Sequence, residues 1–383
     1  MVAGVSATLN YDNASKYTYS YLPTYSKGAN WNNMPSFTYG SSILNPNLKP
    51  QTSNSWEVGL DTKFFKNRIG LEVTYYQTSD FNNIVSIPIS TTSGFDSKWV
   101  NGNTYKRKGL EFVLTATPIK ISGFRWDVAA NFSTYHNYLT SIYNDEPTLN
   151  NLRAGDRADK IFTSIYQKDP SGNIIYGSNG FPLNDTFQRS VGNSDPDFNY
   201  GLENTFAYKQ FTLKVLVDGR VGGLMYSTTN QKMWWGGTNT GTLNHYRDEA
   251  NAGQATYIGQ GVVVTSGAAT YDSNGNIVSD TRKFAPNSKA VNYIDYMTNT
   301  SNAANTNYNY YSQTFLKIRE ITLTWQVPGK WLAKSFIKGL NVSAVGRNLF
   351  LFAKIPNVDP DTGVDNLQTP STRTMGFNAN IKF

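Results

Sequence analysis

The chain has 383 residues, a net charge of +7, no cysteine, 14% aromatic residues and a mean hydropathy of −0.45. The lack of cysteine excludes a disulfide framework and a thiolate site, and the basic residues are too scattered for nucleic acid to be an expected partner, Lys106, Arg107 and Lys108 being the densest run. No stretch approaches the roughly 18 uninterrupted apolar residues of a membrane helix, but a transmembrane barrel alternates polar and apolar residues and is not excluded.

Period-2 alternation recurs along the chain, the pattern of strands with two unlike faces. A weak first strand carries Val5, Ala7, Leu9 and Tyr11. Trp56, Val58, Leu60 and Phe64 then alternate with Ser55, Glu57, Asp61 and Lys63. A turn at Lys66-Asn67-Arg68 leads into Ile69, Leu71, Val73 and Tyr75. Leu110, Phe112, Leu114 and Ala116 are followed by a turn expected over Pro118 to Gly123, then by Trp126, Val128, Ala130 and Phe132. Tyr200, Leu202 and Phe206 run into a Lys209-Gln210 turn and return as Phe211, Leu213, Val215 and Val217. Ile321, Leu323, Trp325 and Val327 precede Pro328-Gly329, and Leu340, Val342 and Ala344 follow. Phe377, Ala379, Ile381 and Phe383 close the chain. These predict about ten strands, each near the ~9–11 residues that cross a bilayer.

The fold class expected is therefore all-β: a partial transmembrane antiparallel β-barrel, with apolar residues toward lipid and polar ones inside. The links at Lys66, Pro118 and Lys209 are tight, whereas those after Tyr11, Gln77, Thr134, Arg220 and Phe352 are long and polar, including Asn299 to Asn309. Short periplasmic turns and long extracellular loops describe an outer-membrane barrel. In one segment the alternation changes phase: Leu316 and Ile318 are apolar at even positions, Ile321, Leu323 and Trp325 at odd ones. A one-residue β-bulge near Arg319-Glu320 restores both halves to one face.

Catalytic residues are not expected. His136 and His245 are both read as loop histidines outside metal-ligand spacing, and no G-x-S-x-G elbow occurs. Asp359, Asp361 and Asp365 surround Gly363 as carboxylates that converge on calcium in some loops, but the run lacks the full loop pattern and its distal Glu, so a plain acidic turn is preferred. Asp272 to Asn276 reads as a turn starting a hairpin. Trp234 and Trp235, beside Gly236 and Gly237 in the longest loop, are candidates to stack on a sugar ring or grip a peptide side chain; packing the loop is the competing reading. Arg125, Asp127, Lys214, Asp218 and Arg220 are expected on the inner wall, opposite charges neutralising each other. Phe377, Ala379, Ile381 and Phe383 form an aromatic-ended strand of the kind read by the outer-membrane insertion machinery, which places the C-terminus at the periplasmic rim.

The segments LNPNLKPQTSNSWEVGLD (44–61), NGNTYKRKGLEF (101–112), VGNSDPDFNYGLENTFAYKQFTL (191–213), FLKIREITLTWQVP (315–328) and GRNLFLF (346–352) resemble, in family order, the C-terminal barrel of the SusC/RagA group of TonB-dependent transporters of Bacteroidetes. The resemblance implies a cell outer-membrane barrel importing oligosaccharides or peptides. It also implies a SusD-like surface lipoprotein as lid, and energy from TonB-ExbB-ExbD acting through a plug and N-terminal region. Plugged barrels of this kind have roughly 22 strands, so residues 1–383 are expected to be one C-terminal barrel portion whose open edges pair with the remainder of the barrel. No leader of charged and apolar residues follows Met1, so one is expected to have been removed or to lie in a longer precursor. Two other readings compete: a self-contained small outer-membrane barrel, adhesin or barrel enzyme, and a secreted soluble β-rich glycan-binding protein.

Overall fold

The alternating segments fold into long antiparallel strands in a computed structural model that describes residues 2–11, 25–301 and 307–383. The chain groups into two units, Met1–Asp159 with Phe198–Lys209, and Lys160–Asp197 with Gln210–Phe383. The first unit holds β1 (Val2–Tyr11), β2 (Thr52–Phe64), β3 (Ile69–Phe81), β4 (Thr104–Ile121), β5 (Phe124–Ser141) and β6 (Phe198–Tyr208). Each of these pairs antiparallel with the next in chain order. The second unit holds β7 (Phe211–Val221), β8 (Phe315–Gln326), β9 (Gly339–Ala353) and β10 (Thr374–Lys382), paired in the same way.

Register carries the apolar face across each unit. In the first, Leu60 pairs with Val73, Val73 with Phe112, Phe112 with Phe132 and Phe132 with Tyr200. In the second, Leu213 pairs with Leu323, Leu323 with Ala344 and Ala344 with Phe377. This face is open rather than buried: Val58 is 46% exposed, Leu202 38%, Leu323 48% and Phe377 88%. A contiguous apolar surface of this extent needs an apolar medium or a partner to cover it. On this face the Trp126 indole donates to Asn204 Oδ1 at 3.1 Å, so both groups find a partner locally. The opposite face is polar, with Asp80 buried in an ion pair with Arg107.

Short and long connections alternate without exception between the ten strands. The short ones are Phe65–Arg68, Ser122–Gly123, Lys209–Gln210 and residues 327–338; the long ones are residues 12–51, 82–103, 142–197, 222–314 and 354–373. Phe65, Lys66 and Asn67 in succession take left-handed φ of 51°, 59° and 63°, which reverses the chain within four residues. The β4–β5 turn is tighter than expected from Pro118 to Gly123. Strand β4 continues to Ile121, and Pro118 sits at a register shift between Ala116 and Ile119, where its missing N–H leaves no ladder bond broken. Of the loop expected over Asn299 to Asn309, residues 293–301 form a helix and 307–309 a short turn, and 302–306 lie outside the described residues.

The phase change in β8 is a bulge. Leu216 pairs with Glu320 and Val217 with Ile318, so Arg319 is the extra residue; toward β9 the ladder also skips from Ile318 to Glu320. Arg319 is thereby freed from the ladder pattern, and its side chain has work elsewhere. A second local constraint lies at Gly109, opposite Tyr76, where a Cβ would sit 2.1 Å from the tyrosine ring. Gly109→Val is expected to lower stability by about 1–3 kcal/mol through overpacking. Combining it with Tyr76→Ala should restore most of the loss in the midpoint of chemical unfolding. A double variant as unstable as the single one would show that the ring contact is not the cause.

Candidate functional site

The long connections of the second unit carry elements of their own. Ile175–Tyr176 runs parallel to Val262–Val263, and Val262–Ser266 pairs antiparallel with Lys283–Pro286. Among the described residues, three α-helices lie in the 222–314 connection: α1 (Thr228–Trp235), α2 (His245–Asn251) and α3 (Tyr293–Ser301). Tyrosines pack these pieces together. Tyr176 and Tyr293 are 3% and 6% exposed, Tyr176 and Tyr296 share a hydroxyl hydrogen bond of 2.9 Å, and the Tyr257 ring lies 4.7 Å from Tyr296 and 5.1 Å from Tyr293. Burial raises the Tyr296 hydroxyl pKa and pushes Tyr166 up to about 12, so both stay neutral and serve packing. What reads in the sequence as polar loop is a layer with its own aromatic core.

Helix α1 is pinned at its N-terminus. The Ser227 hydroxyl accepts from the Asn230 N–H at 3.1 Å and donates to Asp365 at 2.5 Å, and the Thr229 N–H and hydroxyl donate to the same carboxylate at 3.0 and 2.6 Å. At its other end the two candidate indoles separate. Trp234 is half-buried against Gly241, where a Cβ would meet its ring at 2.5 Å. Trp235 is 45% exposed, with the Lys232 ammonium 5.0 Å above its ring. Both packing and availability are therefore present, divided between the two residues. Both indoles line a pocket of about 140 Å³ together with Arg247, Tyr293 and Met297. Arg247 and Tyr293 escape sequence reasoning because they come from separate helices and follow no local pattern.

The acidic run is not an open calcium cup: its carboxylates are engaged by protein groups. Asp359 receives the Lys317 ammonium at 2.7 Å and the Ser371 hydroxyl. Asp361 receives Arg319 through both guanidinium nitrogens and Lys317 at 3.3 Å. Asp365 anchors α1 instead, and among the described residues no group of three His, Cys, Asp or Glu converges as metal ligands. Arg319 beside Asp361 holds that carboxyl down at about 2; burial pushes Asp359 up, but hydrogen bonds from Lys317 and Ser371 keep it below the usual range. Arg319 also bonds Asp218 at 2.7 Å, and Arg220 donates to Gln313 and to the Asp361 carbonyl, each at 2.9 Å. The 354–373 connection is thus fastened to β8 at one point and to α1 at another.

The remaining candidates sort simply. Arg125 and Asp127 pair at 2.7 Å, the neutralised wall expected of them. Asp272 accepts from the Asn274 and Asn276 N–H groups at 2.8 Å and opens a hairpin between Ala269–Tyr271 and Ile277–Asp280. His245 begins α2, within a long connection. His136 was expected in a loop but lies inside β5, because β4 and β5 each continue to 18 residues, beyond their apolar stretches. Phe377, Ala379 and Ile381 alternate along β10, and the Phe383 ring stacks on Phe336 at 5.7 Å.

A family model described as "TonB dependent receptor-like, beta-barrel" matches residues 6–161. The TonB-dependent receptor SusC of Bacteroides thetaiotaomicron is 24% identical over 95% of this chain and 36% of its own length. TonB-dependent receptor P3 of Formosa agariphila is 22% identical over 90% of this chain and 35% of its own. The solved structure of the RagAB peptide transporter aligns over 98% of this chain and 40% of that chain, with 17% identity and a TM-score of 0.64. The same importer in its "open-open" state gives 0.66 at 16% identity, over 99% of this chain and 40% of that one. The chain spans little more than a third of the curated relatives it matches.

Proposed function

We propose that the chain, similar over most of its length to SusC/RagA-like TonB-dependent receptors, serves outer-membrane nutrient import as the C-terminal wall and cargo-side loop layer of such a transporter. The cargo is an oligosaccharide or a peptide, and no step of catalysis is involved. The rest of the barrel and plug closes the open sheet edges, a SusD-like surface lipoprotein covers the loops, and TonB-ExbB-ExbD supplies the energy through the N-terminal region. In this reading the short turns and the C-terminus face the periplasm, and the strand ending in Phe377, Ala379, Ile381 and Phe383 engages the insertion machinery.

The observation that carries it is the ordered loop layer, with an indole-lined pocket, on strands whose outer face is apolar and open. Cells expressing the receptor that carries this chain are given a mixed peptide digest and a mixed polysaccharide digest, and depletion is followed by mass spectrometry. Trp234→Ala combined with Trp235→Ala should reduce uptake of the depleted class about tenfold or more, as loss of stacked aromatic contact predicts, at unchanged surface level. A protonophore should abolish uptake by the unaltered receptor. Uptake indifferent to both treatments would sink the transport reading.

A further inference from the structure

The pocket beneath Trp234 and Trp235 contains one charge and no carboxylate. Arg247 reaches it from α2, whose Asn244 cap accepts the Arg247 N–H at 3.3 Å and donates to the Tyr293 hydroxyl at 3.0 Å, tying α2 to α3. Arg247 Nη1 donates to the Gly237 carbonyl at 2.7 Å and to the Thr242 hydroxyl at 3.2 Å, both neutral acceptors. Its Nη2 and Nε make no hydrogen bond to the described residues, and it takes part in no ion pair with them. The guanidinium lies against Gly237, whose φ of +69° disfavours any other residue there. Neighbouring carboxylates do not supply the missing counter-ion: Asp248, Glu249 and Asp295 are not in the lining, and Glu249 accepts from Thr256 instead. A fixed guanidinium with spare donors in a recess is suited to an anionic oxygen pair, which it binds in bidentate fashion.

The rest of the wall specifies what accompanies that anion. Two indoles, Tyr293, Ile294 and Met297 give a largely apolar surface, to which Asn251 adds a single amide. The Thr242 hydroxyl is already used, donating to the Asn239 carbonyl at 2.7 Å. A sugar brings a hydroxyl on nearly every carbon and would bury several without partners, which is costly. A peptide terminus brings one carboxylate and one apolar side chain. The volume of about 140 Å³ suits a single side chain of ring size, since cavities of about 150 Å³ take up benzene. We infer that this pocket binds the terminal carboxylate and adjoining apolar side chain of a short peptide, Arg247 reading the carboxylate and Trp234 and Trp235 the side chain. The inference rests on the cargo-side reading of the loop layer and gives it a ligand chemistry.

The test uses the purified receptor that carries this chain, titrated calorimetrically with glycyl-glycyl-leucine, its carboxamide, and digalacturonate. The free acid is expected to bind about tenfold or more tighter than the amide, the difference one charge-assisted pair makes. Arg247→Gln should lower the acid to the level of the amide without altering the amide, which also reports that the pocket remains folded, and Arg247→Lys should recover part of the difference. Equal binding of acid and amide, or a preference that survives Arg247→Gln, overturns the inference. So does tighter binding of digalacturonate, which would assign the guanidinium to acidic sugars. If acid and amide bind alike while the tryptophan variants still abolish uptake, only the carboxylate assignment fails. If no probe binds and uptake ignores the tryptophans, both readings fail.

Discussion

Lys317→Ala is expected to destabilise the 354–373 connection by about 3–5 kcal/mol, the usual cost of removing one partner from a buried ion pair. The lysine is 1% exposed and Asp359 7%, so the substitution leaves a carboxylate out of water without its cation. Hydrogen exchange and limited proteolysis across residues 354–373 should both accelerate. Lys317→Met with Asp359→Leu should recover most of the loss, because an apolar pair of similar volume removes the unpaired charge. The effect should spread to the pocket, since Asp365 in the same connection holds Ser227 and Thr229 at the start of α1. A Lys317→Ala receptor with unchanged protection would mean that the ion pair does not hold this connection in place. Acid should loosen the same contact. Asp361 ionises at about 2 in the folded receptor, below its ordinary 3.8. A depressed carboxylate contributes stability that is complete above the unfolded pKa and is lost as pH falls through the folded one. The loss should therefore fall between about pH 4 and pH 2, and Asp361→Asn should remove that portion of the pH dependence.

Leu202→Lys should cost about 2–4 kcal/mol if it lies near the bilayer midplane, whereas Thr205→Lys should cost about 1 kcal/mol or less. The two positions are three residues apart on β6 and face opposite ways. Leu202 pairs with Ala130 in the open apolar row. Thr205 pairs with Asp127 and shares an inner recess with Arg125 and Glu203, where a lysine finds water and carboxylates. Unfolding in guanidinium from lipid vesicles, with the assembled fraction read by heat-dependent gel mobility, measures both. Equal costs would remove the lipid-facing assignment of the apolar row, and a larger cost at Thr205 would invert it.

The two-faced strands, the tight turns at Lys66 and Lys209 and the bulge at Arg319 were all legible in the residues. Alternation has a period of two, so which face a residue takes follows from its neighbours alone, and a phase change shows itself wherever two alternating runs meet. The turn at Pro118 and the loop position of His136 were misread for a related reason. Strand ends depend on ladder pairing with a neighbour, as in the 18-residue β4 and β5, and that neighbour is remote in the chain or unmarked by local pattern. In the candidate site, Trp234 and Trp235 stood out by composition, and Asp359, Asp361 and Asp365 by spacing. Their surroundings did not. Arg319 reaches Asp361 across 42 residues, Ser227 reaches Asp365 across 138, and Tyr176 meets Tyr296 across 120. Such contacts leave no periodic trace, because each joins single side chains whose positions are set only once the connections have packed. The sequence by itself therefore determined the faces and phase of the strands. The tertiary structure alone decided that the acidic run is neutralised by Lys317 and Arg319, that the tyrosines form a core, and that Arg247 stands beside two indoles without a carboxylate partner among the described residues.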